Sequence, residues 1–395
     1  MPIPLLSCRV HATAEPPIPT ARAWAARYDG AAGPMLDLTQ AVPGYPAHPG
    51  LLARLAEAAG SSATAAYGAI EGDLALREAM ATEISHFYEA PVAPDQVAIT
   101  SGCNLAFAMA VSVLAGSRDE VILPTPWYFN HRMTLELLGI PAVPLPLRAE
   151  DGFLPDPDRL ASALTPRSRA LVLVSPNNPT GAVIPSDLLA RIAILCRERG
   201  VWLVLDETYR DFLPQDGTSP HQLFSEPSWE DHVVHLYSFS KSYCLPGHRV
   251  GAILGGGAFR QALLKLLDSW QICASRPAQA ALAWAIPALR EWRHGNRRLM
   301  QERAVGFERA MRAAPAWKID SLGTYFAYLR LPEDLPDALS VAEDLASRHG
   351  LLTLPGPFFG PGQQRHLRLA FANAAEPALS ALPQRLTALH EAASA

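Results

Sequence analysis

Five segments of the chain carry residue types that could do chemistry together. In residues 238–251, SFSKSYCLPGHRVG, Lys241 directly follows an apolar run, with Ser238 three residues before it and Arg249 eight after. A lysine is costly to bury as an ammonium, but one consumed in a Schiff base need not carry a full unpaired charge. Ser238 and Arg249 suit a phosphate at those offsets. Taken alone, the segment also reads as a strand-end lysine reaching solvent. In residues 204–212, VLDETYRDF, Asp206 ends an apolar run. A buried carboxylate there needs a cationic partner, which a protonated ring nitrogen would provide. The plainer reading is an aspartate that caps a following helix. Tyr209 is placed to hydrogen-bond a phenolate oxygen. Residues 175–181, SPNNPTG, form a tight turn after a strand, and Asn178 could donate to a ring oxygen from it. Residues 100–107, TSGCNLAF, end a strand, turn at Ser101-Gly102 and begin a helix, whose free N–H groups suit a phosphate. The aromatics of residues 124–131, PTPWYFNH, could stack on a planar ring or simply pack in a core.

These segments need a frame that brings them together. Apolar runs recur at residues 96–100, 120–124, 170–176, 201–208, 233–239 and 249–256. Continuous runs, as opposed to strict alternation, indicate strands buried on both faces. Helix-like stretches lie between several of them, such as 106–115 and 186–199. The pattern predicts a mainly parallel sheet covered by helices, with ligands at the carboxyl ends of its strands, where the five segments fall. After about residue 257 the pattern turns helical. The last hundred residues add two strand candidates, 324–331 and 366–371, which predicts a second, smaller α+β domain. The N-terminal stretch is rich in Pro and Ala without a clear period.

A chain of 395 residues suits two domains, and 49% hydrophobic residues suffice for a large core. A net charge of −5 leaves no basic surplus for nucleic acid. The five cysteines are widely spaced without a C-x-x-C pair, so neither a zinc site nor a disulfide framework is expected. The first ten residues lack the basic and apolar regions of a secretory signal. No apolar run reaches the ~18 residues that span a membrane. A soluble cytoplasmic protein with reduced thiols is the expectation.

Together and in order, Tyr67-Gly68, Ser101-Gly102, Asn178-Pro-Thr-Gly181, Asp206-x-x-Tyr209, Ser238-x-x-Lys241 and Arg249 resemble the class I/II aminotransferases of pyridoxal-phosphate fold type I, the aspartate aminotransferase superfamily. The resemblance runs from about Leu38 to Ala372. It implies a three-layer α/β/α cofactor-binding domain with a mainly parallel seven-stranded sheet over residues 46–289. Residues 1–45 and 290–395 would form the small α+β domain. The implied cofactor is pyridoxal 5'-phosphate (PLP). The implied reaction moves an amino group between an L-amino acid and a 2-oxo acid. Lyases, cyclases and oxidative deaminases share the same cofactor shell. A non-enzymatic regulator would normally add an N-terminal DNA-binding module, for which the residues before the matched region show no basic helix pair.

Carried over by the resemblance, Lys241 is the Schiff-base lysine and general base, Asp206 pairs with the pyridine nitrogen, and His131 supports that aspartate. Tyr128 stacks on the ring, with Trp127 as its rival. Asn178 and Tyr209 bond the phenolic oxygen. Ser238, Arg249 and the Ser101, Gly102 and Cys103 turn hold the phosphate. Tyr67 reaches the phosphate of the neighbouring subunit, which implies a homodimer with shared active sites. Arg368, in HLRLAFAN, grips the substrate α-carboxylate as a bidentate fork. Two departures bear on the substrate. Ala41 stands where the loop over the substrate often has glycine. Gln271 aligns with an arginine that binds a side-chain carboxylate in aspartate-specific members, with Arg276 nearby where a small polar residue is common. Neutral or aromatic donors are the expectation from Gln271; Arg276 is the counter-argument, since its guanidinium in the partner's site would favour acidic or phosphorylated side chains.

Overall fold

The computed structural model describes residues 6–214 and 219–394. Residues 1–5, half of the segment read as lacking a leader, lie outside that range. A seven-stranded sheet runs in the order Val97–Thr100, Gly251–Leu254, Val233–Ser238, Trp202–Asp206, Ser168–Val174, Glu120–Thr125 and Ala142–Pro146. Gly251–Leu254 is antiparallel to both neighbours, and the remaining pairings are parallel. The central strands are buried on both faces, as their unbroken apolar sequence requires. Side chains alternate between faces. Leu203 and Leu205 join one apolar cluster with helices Leu74–Tyr88 and Arg276–Ala288, while Val172, Val204 and Val234 join another with helix Cys103–Leu114.

Ala142–Pro146 was not anticipated. Its two prolines argue against a central strand, but it lies at the sheet's edge, where a missing ladder donor is tolerated.

A third core joins residues 21–38 to residues 300–389. It covers a four-stranded antiparallel sheet in the order Leu354–Pro355, His366–Ala370, Phe326–Arg330 and Lys318–Gly323. The two anticipated strands are its middle pair. The N-terminal stretch is tied in by helix Pro17–Ala25, which buries Ala21 and Trp24, and by a two-residue parallel pairing of Leu36–Asp37 with Leu351–Leu352. The helix begins at proline, a residue suited to the first turn because no partner is needed for its missing N–H. Tyr209 and Phe212 reach from the large sheet into this third core. Among the described residues no helix is long and apolar enough to cross a membrane.

Candidate active site

The carboxyl ends of the parallel strands open into a cavity of about 210 Å³. Asp206 stands at the end of strand Trp202–Asp206, and Glu207 turns to the opposite side. There Tyr88, His221 and His235 hold the Glu207 carboxylate in the core, which anchors the strand end. Asp206 is buried, with His131 Nε2 3.3 Å from its Oδ2. His131 is itself fixed by stacking on Phe107, with ring centroids 4.0 Å apart. Burial opposes ionisation of Asp206, but the bonds from His131 and Thr208 outweigh it and hold the carboxyl below its ordinary range.

Lys241 follows strand Val233–Ser238 on the one-turn helix Phe239–Ser242, and Ser238 caps that turn by accepting from Ser240 N. Burial, reinforced by the charges of Arg368 and Arg249, lowers the Lys241 ammonium to about 8. The sequence contains three lysines; the other two, Lys265 and Lys318, are exposed.

Arg249 closes the far end. Its backbone is left-handed, at φ +51°, and its guanidinium crosses directly over Gly102. A Cβ at Gly102 would collide with that guanidinium, and one at Gly251 would fall 2.7 Å from Cys103 N. Two glycines therefore let Arg249, Ser238 and the N-terminus of helix Cys103–Leu114 converge. That is an arrangement of donors suited to an anion.

On the side facing the third core, Asn178 Nδ2 lies 3.4 Å from the Tyr209 hydroxyl, and Asn178 Oδ1 accepts from Arg368 Nη1 at 3.2 Å. Arg368 is buried at 2% exposure between the rings of Phe326 and Phe359. Burial lowers its pKa to about 10, and its other terminal nitrogen donates to Thr39 O. Its Nε has no hydrogen-bond partner. A guanidinium placed this way, with no ion pair to a protein carboxylate among the described residues, suits a carboxylate ligand.

The family now follows from comparison. The profile of the class I and II aminotransferases matches residues 34–386. This chain belongs to that family. An aromatic aminotransferase of Arabidopsis thaliana is 31% identical over 81% of this chain and 80% of its own length. An arginine–pyruvate transaminase of Pseudomonas aeruginosa is also 31% identical, over 79% of each. A single mutant of Thermus thermophilus aspartate aminotransferase superimposes with a TM-score of 0.89 at 25% identity, covering 98% of this chain and 100% of that one. The chain is thus a transaminase enzyme, and the large sheet with its smaller companion domain is the aspartate aminotransferase fold.

Cys103, Tyr128, Asn178, Asp206, Tyr209, Ser238, Lys241 and Arg249 all line the aminotransferase cavity. Trp127 does not: its N–H goes to Phe359 O, and Arg132 sits over its ring. Ser101 and Gly102 form the turn beneath the cavity. Ala41 lies in the loop beside Arg368, where its carbonyl accepts from Tyr325. Tyr67 lines no part of this cavity and is 81% exposed. Four lining residues escaped the sequence reading: Asn104, Val174, Thr208 and Ser240. Thr208 alone had a signal, since Asp-x-Thr after a strand favours a side-chain bond back to the turn.

Gln271 is engaged within its own chain. Its Oε1 accepts from Ser101 N at 2.7 Å, and its Nε2 donates to Ile99 O at 2.9 Å. Arg276 is engaged likewise, by Asp73 and by the carbonyls of Ala63 and Ala66. It packs under Gly68 and so holds the segment that carries Tyr67.

Proposed function

We propose that this aminotransferase carries pyridoxal 5'-phosphate on Lys241 and prefers neutral or aromatic amino donors. The observation that carries the cofactor reading is one cavity holding three things: a lysine with a lowered pKa, a buried carboxylate kept ionised, and an anion cradle built against two glycines. The residues fit the group. Ser238, Arg249 and the N–H groups after Gly102 would hold its phosphate, Asp206 the ring nitrogen, Asn178 and Tyr209 the ring oxygen, and Tyr128 a ring face. When bound, the cofactor acts as an electron sink for the substrate's Cα–H bond. Arg368 orients the substrate by its α-carboxylate. Lys241 Nζ then takes the Cα proton. An amine near 8 is well matched to that task at neutral to mildly alkaline pH. Asp206 keeps the proton on the ring nitrogen throughout.

The donor preference rests on charge. Among the described residues the cations lining the cavity are Arg249, assigned to the phosphate, and Lys241; Arg368, which meets the cavity through Asn178, is assigned to the α-carboxylate. Gln271 and Arg276 are both engaged elsewhere in their own chain. A second substrate carboxylate would be buried unpaired, at a cost of several kcal/mol. Measured kcat/KM for phenylalanine, leucine and methionine should exceed that for aspartate by about tenfold or more, roughly 1.4 kcal/mol. A lead for aspartate would reverse the preference.

The chain is further proposed to divide into residues 46–289 and residues 1–45 with 290–395, a reading supported by the separate third core. It is proposed to work as a homodimer in which Tyr67 serves the neighbouring site. Tyr67, Leu52, Leu74, Trp270 and Ile272 are all large and exposed, which suits an interface. A reducing, cytoplasmic setting suits the five free cysteines, including Cys103 in the cavity. The direct test is borohydride reduction of the loaded enzyme followed by peptide mass mapping. The cofactor mass should sit on Lys241; its recovery on Lys265 or Lys318 would overturn the assignment.

A further inference from the structure

We infer that Thr208 is a positioning residue that fixes the Asp206 carboxylate for the ring nitrogen, a role that rests on the cofactor reading above. Thr208 bonds one carboxylate oxygen twice. Its backbone N–H reaches Asp206 Oδ1 at 3.0 Å and its hydroxyl at 2.7 Å. The other oxygen, Oδ2, faces His131 Nε2. A carboxylate offers about four lone-pair positions. Thr208 fills the two on Oδ1 and His131 one on Oδ2, so a single acceptor position remains on Oδ2. Asp206 lines the cavity, and that position is available to a ring N–H.

Cys103 completes the surround. Its Sγ lies 3.9 Å from both carboxylate oxygens and 3.6 Å from the Thr208 hydroxyl. The Thr208 hydroxyl has one hydrogen, and the charged oxygen at 2.7 Å takes it in preference to the sulfur. Burial and the charge of Asp206 keep the thiol protonated, so it remains a weak donor that orients little. Without the Thr208 hydroxyl, Oδ1 would keep one N–H and could turn toward this thiol. His131, wedged against Phe107, would stay in place as the pivot. The carboxylate would then be ionised but misdirected.

The experiment compares Thr208→Val and Thr208→Ser, each titrated as apoenzyme with PLP and assayed when loaded. Loss of one charge-assisted hydrogen bond should raise the PLP Kd of Thr208→Val roughly tenfold and lower kcat about tenfold, with KM changed less than about twofold. Thr208→Ser should recover both quantities to within about threefold, because it keeps the hydroxyl. Wild-type affinity and kcat in Thr208→Val would overturn the role. So would equal losses in both variants, which would assign the effect to disturbed packing at this position and not to the hydroxyl. Asp206→Asn is measured alongside. Wild-type affinity and rate in that variant would remove the cofactor reading itself, whereas losses there with an unaffected Thr208→Val would remove only Thr208.

Discussion

At the scale of single residues, the site places several ionisable groups where water cannot solvate them, and neighbours decide their charge. Lys241 shows the consequence for stability. Its ordinary value of 10.5 falls to about 8 in the folded apoenzyme, through burial and then the charges of Arg368 and Arg249. Between those values the unfolded chain holds a proton that the folded chain has released. This group therefore weakens the fold below about pH 8, and the penalty disappears as pH rises toward 10.5. Apoenzyme carrying Lys241→Met should melt higher than wild-type apoenzyme at pH 7, by on the order of 2 °C. The gap should shrink by pH 10. A constant gap across that range would show that the gain came from packing. Asp206 has the opposite sign: its lowered pKa stabilises the fold above the ordinary carboxylate range and is lost as pH falls through the folded value.

At the scale of elements, strand ends and helix starts are held by side chains from distant parts of the chain. Gln271, past the end of helix Gly257–Trp270, bonds both the last turn of strand Val97–Thr100 and Ser101 N. Its amide fixes the Ser101-Gly102 turn, against which the anion-suited donors converge. Gln271→Ala should leave two backbone groups unpaired, at about 1–3 kcal/mol. The expected result is a PLP Kd raised about tenfold, read by titrating apoenzyme, with the order of preference among amino donors unchanged. A changed preference at unchanged Kd would instead place Gln271 at a substrate pocket. The residue types around Gln271 show an ordinary helix end. Its partners lie 170 and 172 positions away, beyond the reach of any local pattern.

At the scale of the whole molecule, the proposed homodimer gives the exposed Tyr67 a role in the neighbouring site. Arg276 packs against the Tyr67 segment at Gly68, while Tyr67 itself is exposed and lines no part of the protomer's own cavity. Lys241→Ala and Tyr67→Ala chains, each impaired alone, should regain activity when mixed and refolded together, because one of the two sites then combines wild-type Lys241 with wild-type Tyr67. The yield should be on the order of a quarter of the wild-type rate, one intact site in the half of dimers that are mixed. Activity no higher than the sum of the separate variants, or a fully active monomer by light scattering, would remove the shared site.

The sequence by itself determined the sheet strands that are buried on both faces, the family, and the short motifs around Lys241, Asp206, Asn178 and Gly102. Each depends on a local rule: an unbroken apolar run, a turn that needs glycine, or a fixed offset between donors. Tertiary structure alone decided what those rules do not reach. The prolines of Ala142–Pro146 hid an edge strand that is tolerated only because nothing pairs beyond it. The choice of Tyr128 over Trp127 at the cavity depends on Phe359, more than two hundred residues away, holding the Trp127 backbone. Gln271 and Arg276 looked like substrate contacts by position. Both are engaged within their own chain, because polar groups take the nearest partners that the folded chain brings to them.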